Sequence, residues 1–346
     1  MKTELIKITD VSLPASKKAL AEAGKTIRDG GLVVFPTETV YGLGGNALDA
    51  SAAKKIYAAK GRPQDNPLII HIADPKNAEK YCHVNETYFE LARAFMPGPL
   101  TVILPKKDII PYSVTGGLDT VAVRCPSHPV ANALIREAGV PIAAPSANLS
   151  GKPSPTNAEY VMEDMDGRVD IVIDGGSSEI GLESTIVMAT DGKVTLLRPG
   201  GITYDALTMV VGKVEVAGAV TEILAEGERP LSPGMKYKHY APSTPVVLLD
   251  GDSDAFTAFV GEEQKLKKCA VLCYNEEVSR LRHENILPIG DETDLASHAH
   301  NLFTYLRDAD KLGCDVIYAH LPPKNGLGLA LYNRMIRAAA HTVKKI

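Results

Sequence analysis

Short apolar runs alternate with amphipathic stretches along the whole chain, the pattern of an α/β protein. Leu32–Phe35 reads as a buried strand. Asp49 then stands as a helix N-cap ahead of Ala52, Ala53, Ile56 and Tyr57, which share one helical face. Further strands are expected at Pro67–Ile72, Leu100–Leu104, Thr120–Cys125, Pro141–Ala144, Ile171–Ile173, Thr185–Met188 and Val194–Leu197, with helices around Glu86–Phe95, Pro129–Glu137 and Asn157–Asp164. Strands such as Leu100–Leu104 and Thr120–Cys125 follow one another with no helix between them, so the sheet should be mixed, not purely parallel.

From about Gly212 the periodicity loosens. Residues 213–243 are rich in small and charged residues, with Pro230, Pro233, Gly234 and Pro242, and read as a linker between domains. A regular alternation then resumes: strand Val246–Leu249, helix Ala255–Leu266, strand Cys269–Tyr274, helix Leu295–Leu312, strand Val316–His320 and helix Leu327–Val343. Strands spaced by helices of that length imply a small parallel sheet. The expected organisation is therefore a catalytic domain over 1–212, a linker over 213–243 that covers the site, and a C-terminal domain over 244–346. A chain of 346 residues exceeds what one core usually organises, which agrees.

Composition changes this picture only by exclusion. Net charge is −5, so no global basic field of the kind non-specific nucleic-acid binders carry is present. The N-terminus mixes Lys2, Glu4, Lys7 and Asp10 among its apolar residues, unlike a signal peptide, and no apolar run has the length of a membrane span. Five scattered cysteines without a C-x-x-C pair point to a reduced compartment and no structural zinc. A cytoplasmic protein is expected.

The densest polar signal is Lys60-Gly-Arg62-Pro-Gln-Asp-Asn66-Pro, where a point cation and a planar fork leave a helix on a proline-stiffened loop suited to phosphate. The other reading, cations complementing a helix C-terminus, is as good from these residues alone. Pro36-Thr-Glu-Thr39-Val-Tyr-Gly42-Leu-Gly44-Gly sets hydroxyls and glycines after a buried strand. Its glycines resemble a dinucleotide fingerprint, but Pro36 to Tyr41 intervenes where a tight strand-to-helix turn is required. No G-x-x-x-x-G-K-[ST] occurs, which excludes a P-loop. Ala144-Pro-Ser146-Ala-Asn148-Leu-Ser150 closes a strand with hydroxyls, as a nucleotide-contacting loop or a plain turn would. Thr120 and Arg124 share one strand face, and Arg62, Arg124 and Arg198 at separate sheet edges suit a polyanion pocket or structural ion pairs.

Together, Pro36-Thr-Glu-Thr-Val-Tyr-Gly-Leu-Gly, Lys60-Gly-Arg62, Asn66-Pro-Leu-Ile-Ile-His71 and Ser146-Ala-Asn148 resemble the YrdC-like domain of threonylcarbamoyl-AMP synthases. Ser232-Pro-Gly-Met-Lys-Tyr237-Lys-His-Tyr-Ala-Pro242 resembles the linker of the longer members. The resemblance implies a YrdC-like domain with a twisted mixed sheet, followed by a smaller Rossmann-like parallel-sheet domain. It implies formation of threonylcarbamoyl-AMP and pyrophosphate from L-threonine, bicarbonate or carbon dioxide, and ATP, with Mg2+ held mainly by the ATP phosphates and no dedicated protein metal site. The product would go to downstream tRNA-modifying proteins, with no membrane involved and direct tRNA binding not expected. Carried over by position, Lys60 and Arg62 are catalytic. Arg62, Asn66, Thr120, Ser146, Asn148, Ser154, Arg198 and Tyr237 bind ATP, and Thr39, His71, Arg124, Ala144 and Ser184 bind threonine. At Ala144, where the family also uses a hydroxyl residue, the contact would come from the backbone. The competing expectations are an RNA-binding module without ATP turnover, using Lys60, Arg62, Lys236 and Lys238, a hydrogenase-maturation type of carbamoyl transfer, and a nicotinamide oxidoreductase resting on the glycines alone.

Overall fold

The structure, a computed structural model, describes residues 2–220, 240–281 and 284–346. Two compact units emerge. The first takes Met1–Ser150, Ser154–Glu179 and Glu183–Lys236, the second Gly151–Pro153, Ile180–Leu182 and Tyr237–Ile346, both less the residues outside the described set.

The first unit is built on β1 (Glu4–Lys7), β2 (Val33–Phe35), β3 (Gly42–Asn46), β4 (Ile69–His71), β5 (Leu100–Pro105), β6 (Thr120–Arg124), β7 (Ile142–Ala143), β8 (Ile171–Asp174), β9 (Thr185–Thr190), β10 (Lys193–Arg198) and β11 (Val214–Val216). They form one mixed sheet in the order β1-β8-β2-β3-β7-β4-β6-β5-β9-β10-β11. The last strand, within the stretch read as linker, extends this sheet by pairing parallel to β10. Its helices are α1 (Pro14–Arg28), α2 (Ala50–Lys60), α3 (Glu86–Phe95), α4 (Tyr112–Thr115), α5 (Pro129–Ala138), α6 (Ala158–Met165) and α7 (Tyr204–Val211).

Side-chain alternation along the strands decides how these helices are shared out. One face carries Val34, Leu43, Ile70, Val102, Val123, Val172 and Leu196 and packs against residues of α2, α3, α4, α6 and α7. The opposite face is split. Over β8, β2 and β7, residues Val33, Phe35, Ile142 and Ile173 meet Leu20, Ala23 and Ile27 of α1 and Val130, Leu134 and Ile135 of α5. Over β4, β6, β5, β9 and β10 the buried cluster is Ile69, Ala122, Ile103, Ile186 and Leu197, all from strands. Among the described residues no helix contributes to that cluster, and this helix-free half of the sheet is where the polar residues of the next section stand.

Two elements absent from the sequence expectation have local causes. Strand β3 is mostly glycine and scores poorly as a strand. Its glycines are needed because a Cβ at Gly44 would lie 2.7 Å from Ile142 Cγ2 and 2.8 Å from Phe35 Cε1. Helix α1 buries only Ser16, Leu20, Ala23, Gly24 and Ile27, a narrow stripe among lysines with two large apolar side chains.

The second unit is an all-parallel sheet, β14-β13-β15-β12-β16, of β12 (Val246–Asp250), β13 (Cys269–Cys273), β14 (Ile286–Pro288), β15 (Val316–His320) and β16 (Val343–Lys345). Its helices are α8 (Ser253–Glu263), α9 (Leu295–Lys311) and α10 (Gly328–Ala338). The last helix is shorter than expected and gives way to β16, because Ala340 and His341 take positive φ of 47° and 63° and end it. Beyond the ends of β13 and β15, a cavity of about 30 Å³ lined by Tyr274, His298 and His320 has room for a water molecule or two. The α/β class, with a mixed sheet followed by a parallel one, is as the sequence led us to expect.

Candidate active site

Helix α2 begins on Asp49, whose side chain accepts from Ser51 N, and ends at Gly61 in the left-handed region with φ 61°. That turn reverses the chain immediately after Lys60 and holds Lys60 buried. Its ammonium donates to the backbone carbonyls of Ser146 and Asn148, both at 2.5 Å, and reaches Asn148 Oδ1 at 3.4 Å. Ser146 Oγ in turn donates to Asn148 Oδ1 at 2.5 Å. The two motifs, 86 and 88 residues apart in sequence, therefore meet at one cation. Arg62 donates from Nη2 to the carbonyls of Pro67 (3.1 Å) and Asn66 (3.4 Å). Asn66 Oδ1 is buried with no hydrogen-bond partner among the described residues, an acceptor still to be matched.

Register explains why these residues gather. The loop that carries Ser146 leaves β7 antiparallel to β4, with Ala144 N donating to Ile69 O and a bridge from Ser146 to Gly42. Thr120 stands two residues before Ala122, the register partner of Ile69 on β4. Lys60, Arg62, Asn66, Thr120, Ser146 and Asn148 thus collect near the N-terminal ends of β4 and β6.

The other end is a single cross-strand row. His71 pairs with Arg124, Arg124 with Thr101, Thr101 with Ile186, and Ile186 with Arg198. These residues share the helix-free face. With strands about 4.8 Å apart the row spans roughly 19 Å, and Arg124 is about 13 Å from Thr120 along β6. Arg124 Nη2 donates to Glu38 Oε1 at 2.7 Å in an ion pair whose side chains are 5% and 6% exposed. Its Nε has no partner among the described residues. Ser184 precedes β9 and holds two neighbours: its Oγ lies 2.8 Å from Thr101 Oγ1 and accepts from Arg198 Nη2 at 3.2 Å, while its carbonyl accepts from Arg198 Nε at 3.1 Å.

His71 is enclosed, edge-on to Phe35, with Nδ1 3.3 Å from the Ile142 carbonyl. That contact places the proton on Nδ1 and leaves Nε2 as an acceptor. Burial, and secondarily Arg124, pull the imidazole down from 6.5 to about 3, so it is neutral at pH 7. Between pH 6.5 and about 3 the unfolded chain binds a proton here that the folded chain does not, so stability falls as pH falls through that window. His71→Gln is expected to flatten the acid limb of stability against pH by nearly one proton, about 1.4 kcal/mol per pH unit. Denaturant titrations from pH 7 to 5 measure this, and parallel limbs would contradict it.

The remaining expected residues are placed as follows. Thr39 Oγ1 is 2.9 Å from Thr37 Oγ1, which also donates to Val40 O and fixes the turn. Ala144 N is committed to Ile69 O, leaving the carbonyl of Ala144 as its usable group. Ser154 Oγ donates to Glu183 Oε1 at 2.5 Å, both side chains buried. Arg198, expected at the nucleotide, stands on the same cross-strand row as Arg124, three strands away. Tyr237 lies outside the described residues. Glu38, Thr101 and Glu183 were not singled out by the sequence reading. Glu38 sits inside a motif that was, and its place between two threonines directly after a buried strand was the available signal. Thr101 and Glu183 carry no such mark.

Residues 25–200 match the Sua5, YciO and YrdC family model, whose description is "Telomere recombination", and residues 202–340 match "Threonylcarbamoyl-AMP synthase, C-terminal domain". The threonylcarbamoyl-AMP synthase of Bacillus subtilis (strain 168) is 44% identical over 99% of this chain and 99% of its own. The chain belongs to the threonylcarbamoyl-AMP synthase family. That of Pyrococcus abyssi (strain GE5 / Orsay) is 44% identical over 92% of this chain and 94% of its own. The crystal structure of P. abyssi Sua5 complexed with L-threonine superposes with a TM-score of 0.89 at 40% identity, covering 100% of both chains. The activity is that of the family: a nucleotidyltransferase that uses ATP to make threonylcarbamoyl-AMP for the threonylcarbamoyladenosine modification of tRNA. No helix among the described residues is long and apolar enough to cross a membrane.

Proposed function

We propose that the helix-free face of the first sheet divides the substrates by strand end, with ATP phosphates at the Lys60 end and L-threonine at the His71–Arg124 row. L-Threonine and bicarbonate or carbon dioxide form a carbamate. A carbamate oxygen attacks the α-phosphorus of ATP, the bond from that phosphorus to the bridging oxygen breaks, and pyrophosphate leaves. Such a transfer needs little covalent chemistry from side chains. It depends on in-line positioning and on cations placed where negative charge develops.

The observation that carries this reading is the convergence of the Lys60-Gly-Arg62 and Ser146-Ala-Asn148 motifs on the Lys60 ammonium. Lys60 and Arg62 are catalytic in this scheme, facing the phosphates. Asn66, Thr120, Ser146, Asn148 and Ser154 surround the phosphates at that end, while Arg198, held by Ser184 on the row, takes the nucleoside half of ATP. Tyr237, outside the described residues, is assigned to the nucleotide on the resemblance alone. At the other end Arg124 takes the threonine carboxylate, and the Nε2 lone pair of neutral His71 suits the threonine hydroxyl. Thr39 and Ser184 line this end, and the Ala144 carbonyl accepts from the substrate nitrogen. No group of three His, Cys, Asp or Glu side chains converges among the described residues. Neutral oxygens and cations fit a Mg2+ that arrives on the triphosphate, where it would supply charge neutralisation while phosphates and water ligate it. Bicarbonate or carbon dioxide as the carbon source, a cytoplasmic site and transfer of the product to tRNA-modifying proteins complete the proposal. Of the RNA-binding alternative, Lys236 and Lys238 lie outside the described residues.

Pyrophosphate release by purified protein with ATP and Mg2+ tests the reading. Release should require L-threonine and bicarbonate together, with glycine a much poorer substrate. Release that ignores threonine, or none from folded protein, would sink it.

A further inference from the structure

Arg124 has a resident partner. The Glu38 carboxylate accepts from its Nη2 at 2.7 Å and, at 3.3 Å, from the backbone N–H of Ser127, three residues further along the chain from Arg124. Glu38 is itself fixed from behind. It lies between Thr37 and Thr39 on a turn in which Thr37 Oγ1 accepts from Thr39 N and Val40 N, both at 3.2 Å, and donates to the Val40 carbonyl at 2.6 Å. A guanidinium held by one charge-assisted bond in a buried setting has few other positions open to it. The bond leaves Nε–H without an acceptor among the described residues. Next to it on the row stand His71 and Thr101.

We infer that Glu38 is a positioning residue for substrate binding: as the built-in counter-ion of Arg124 it fixes the guanidinium so that its remaining donor edge meets the substrate carboxylate. The inference rests on the proposal that Arg124 receives that carboxylate. Two demands meet in Glu38. Without a substrate, Arg124 would be a buried cation lacking a partner, which a folded chain tolerates poorly. With a substrate, the guanidinium must already be aimed, because a displacement of about 1 Å costs on the order of a hundredfold in rate.

The test compares wild type, Glu38→Gln and Glu38→Asp with two ligands, L-threonine and L-threoninamide, which lacks the carboxylate. Binding is measured by calorimetry on protein shown to be folded by circular dichroism, and turnover by pyrophosphate release. For Glu38→Gln the KM for L-threonine is expected to rise on the order of ten- to a hundredfold, with the KM for ATP within about threefold of wild type. Glu38→Asp, which keeps the charge, should recover part of the loss and serves as the readout if the Gln variant does not fold. L-Threoninamide should bind wild type and variants alike within about threefold, since the group Glu38 positions has no carboxylate to meet. Equal losses for both ligands, or parallel losses for ATP and threonine, would make Glu38 merely structural. Tighter threonine binding in Glu38→Gln would make it a repelling charge, and either result overturns the inference. Should wild type itself fail to prefer threonine over threoninamide, the fault lies in the Arg124–carboxylate reading beneath it.

Discussion

Replacing Lys60 with Ala is expected to reduce pyrophosphate release by about a thousandfold or more, with the folded structure retained. A single preorganised charge or donor at a developing oxyanion commonly accounts for two to three orders of magnitude, and Lys60 has no neighbouring lysine to substitute for it in the described loop. The replacement also frees the carbonyls of Ser146 and Asn148, which the ammonium holds together. The effect should therefore appear both in the transfer step and in the order of the Ser146–Asn148 loop. Lys60→Met keeps the stem that packs at the end of α2 and separates the two: if charge is what matters, Met should be as inactive as Ala while melting closer to wild type. Arg62→Ala should also abolish turnover. Activity within tenfold of wild type in Lys60→Ala or Lys60→Met would remove Lys60 from the chemistry.

The second large effect concerns stability and activity together. Arg124→Ala leaves Glu38 as a buried carboxylate with no cation, in an ion pair whose two side chains are about nineteen-twentieths enclosed. Breaking such a pair from one side costs about 3–5 kcal/mol, whereas removing both partners costs far less. Arg124→Ala should accordingly be much less stable than the double variant Arg124→Ala/Glu38→Ala, measured by urea titration at pH 7. Both should lose threonine-dependent turnover, because both lack the group proposed to receive the carboxylate. A double variant no more stable than the single one would show that the pair is not the buried unit described here.

What could be seen in the sequence divides along physical lines. The Lys60-Gly-Arg62 loop was legible because a glycine fit for a left-handed C-cap directly follows the last helical residue, and Asn66 and His71 follow within one connection. Strands such as Leu100–Pro105 and Thr120–Arg124 were legible from their apolar runs. The row was not. It depends on β4 pairing with β6 on one side and β7 on the other, a non-local arrangement that no local pattern specifies. Thr101 looks like any β-branched residue in a strand until register sets it opposite Arg124. Glu38 looks like a solvated loop acid until the fold closes Arg124 over it. Strand β3 was missed because glycine is depleted in strands, and here close packing against Ile142 and Phe35 overrode that preference.

The proposed function divides one sheet face into a phosphate end and an amino-acid end. A crystal structure of this protein with L-threonine and a non-hydrolysable ATP analogue tests it most directly. The threonine carboxylate is expected within hydrogen-bond distance of Arg124, its hydroxyl at His71 Nε2, and the triphosphate within reach of Lys60 and Arg62. Threonine bound away from the His71–Arg124 row, or phosphates turned from the Lys60 loop, would contradict it.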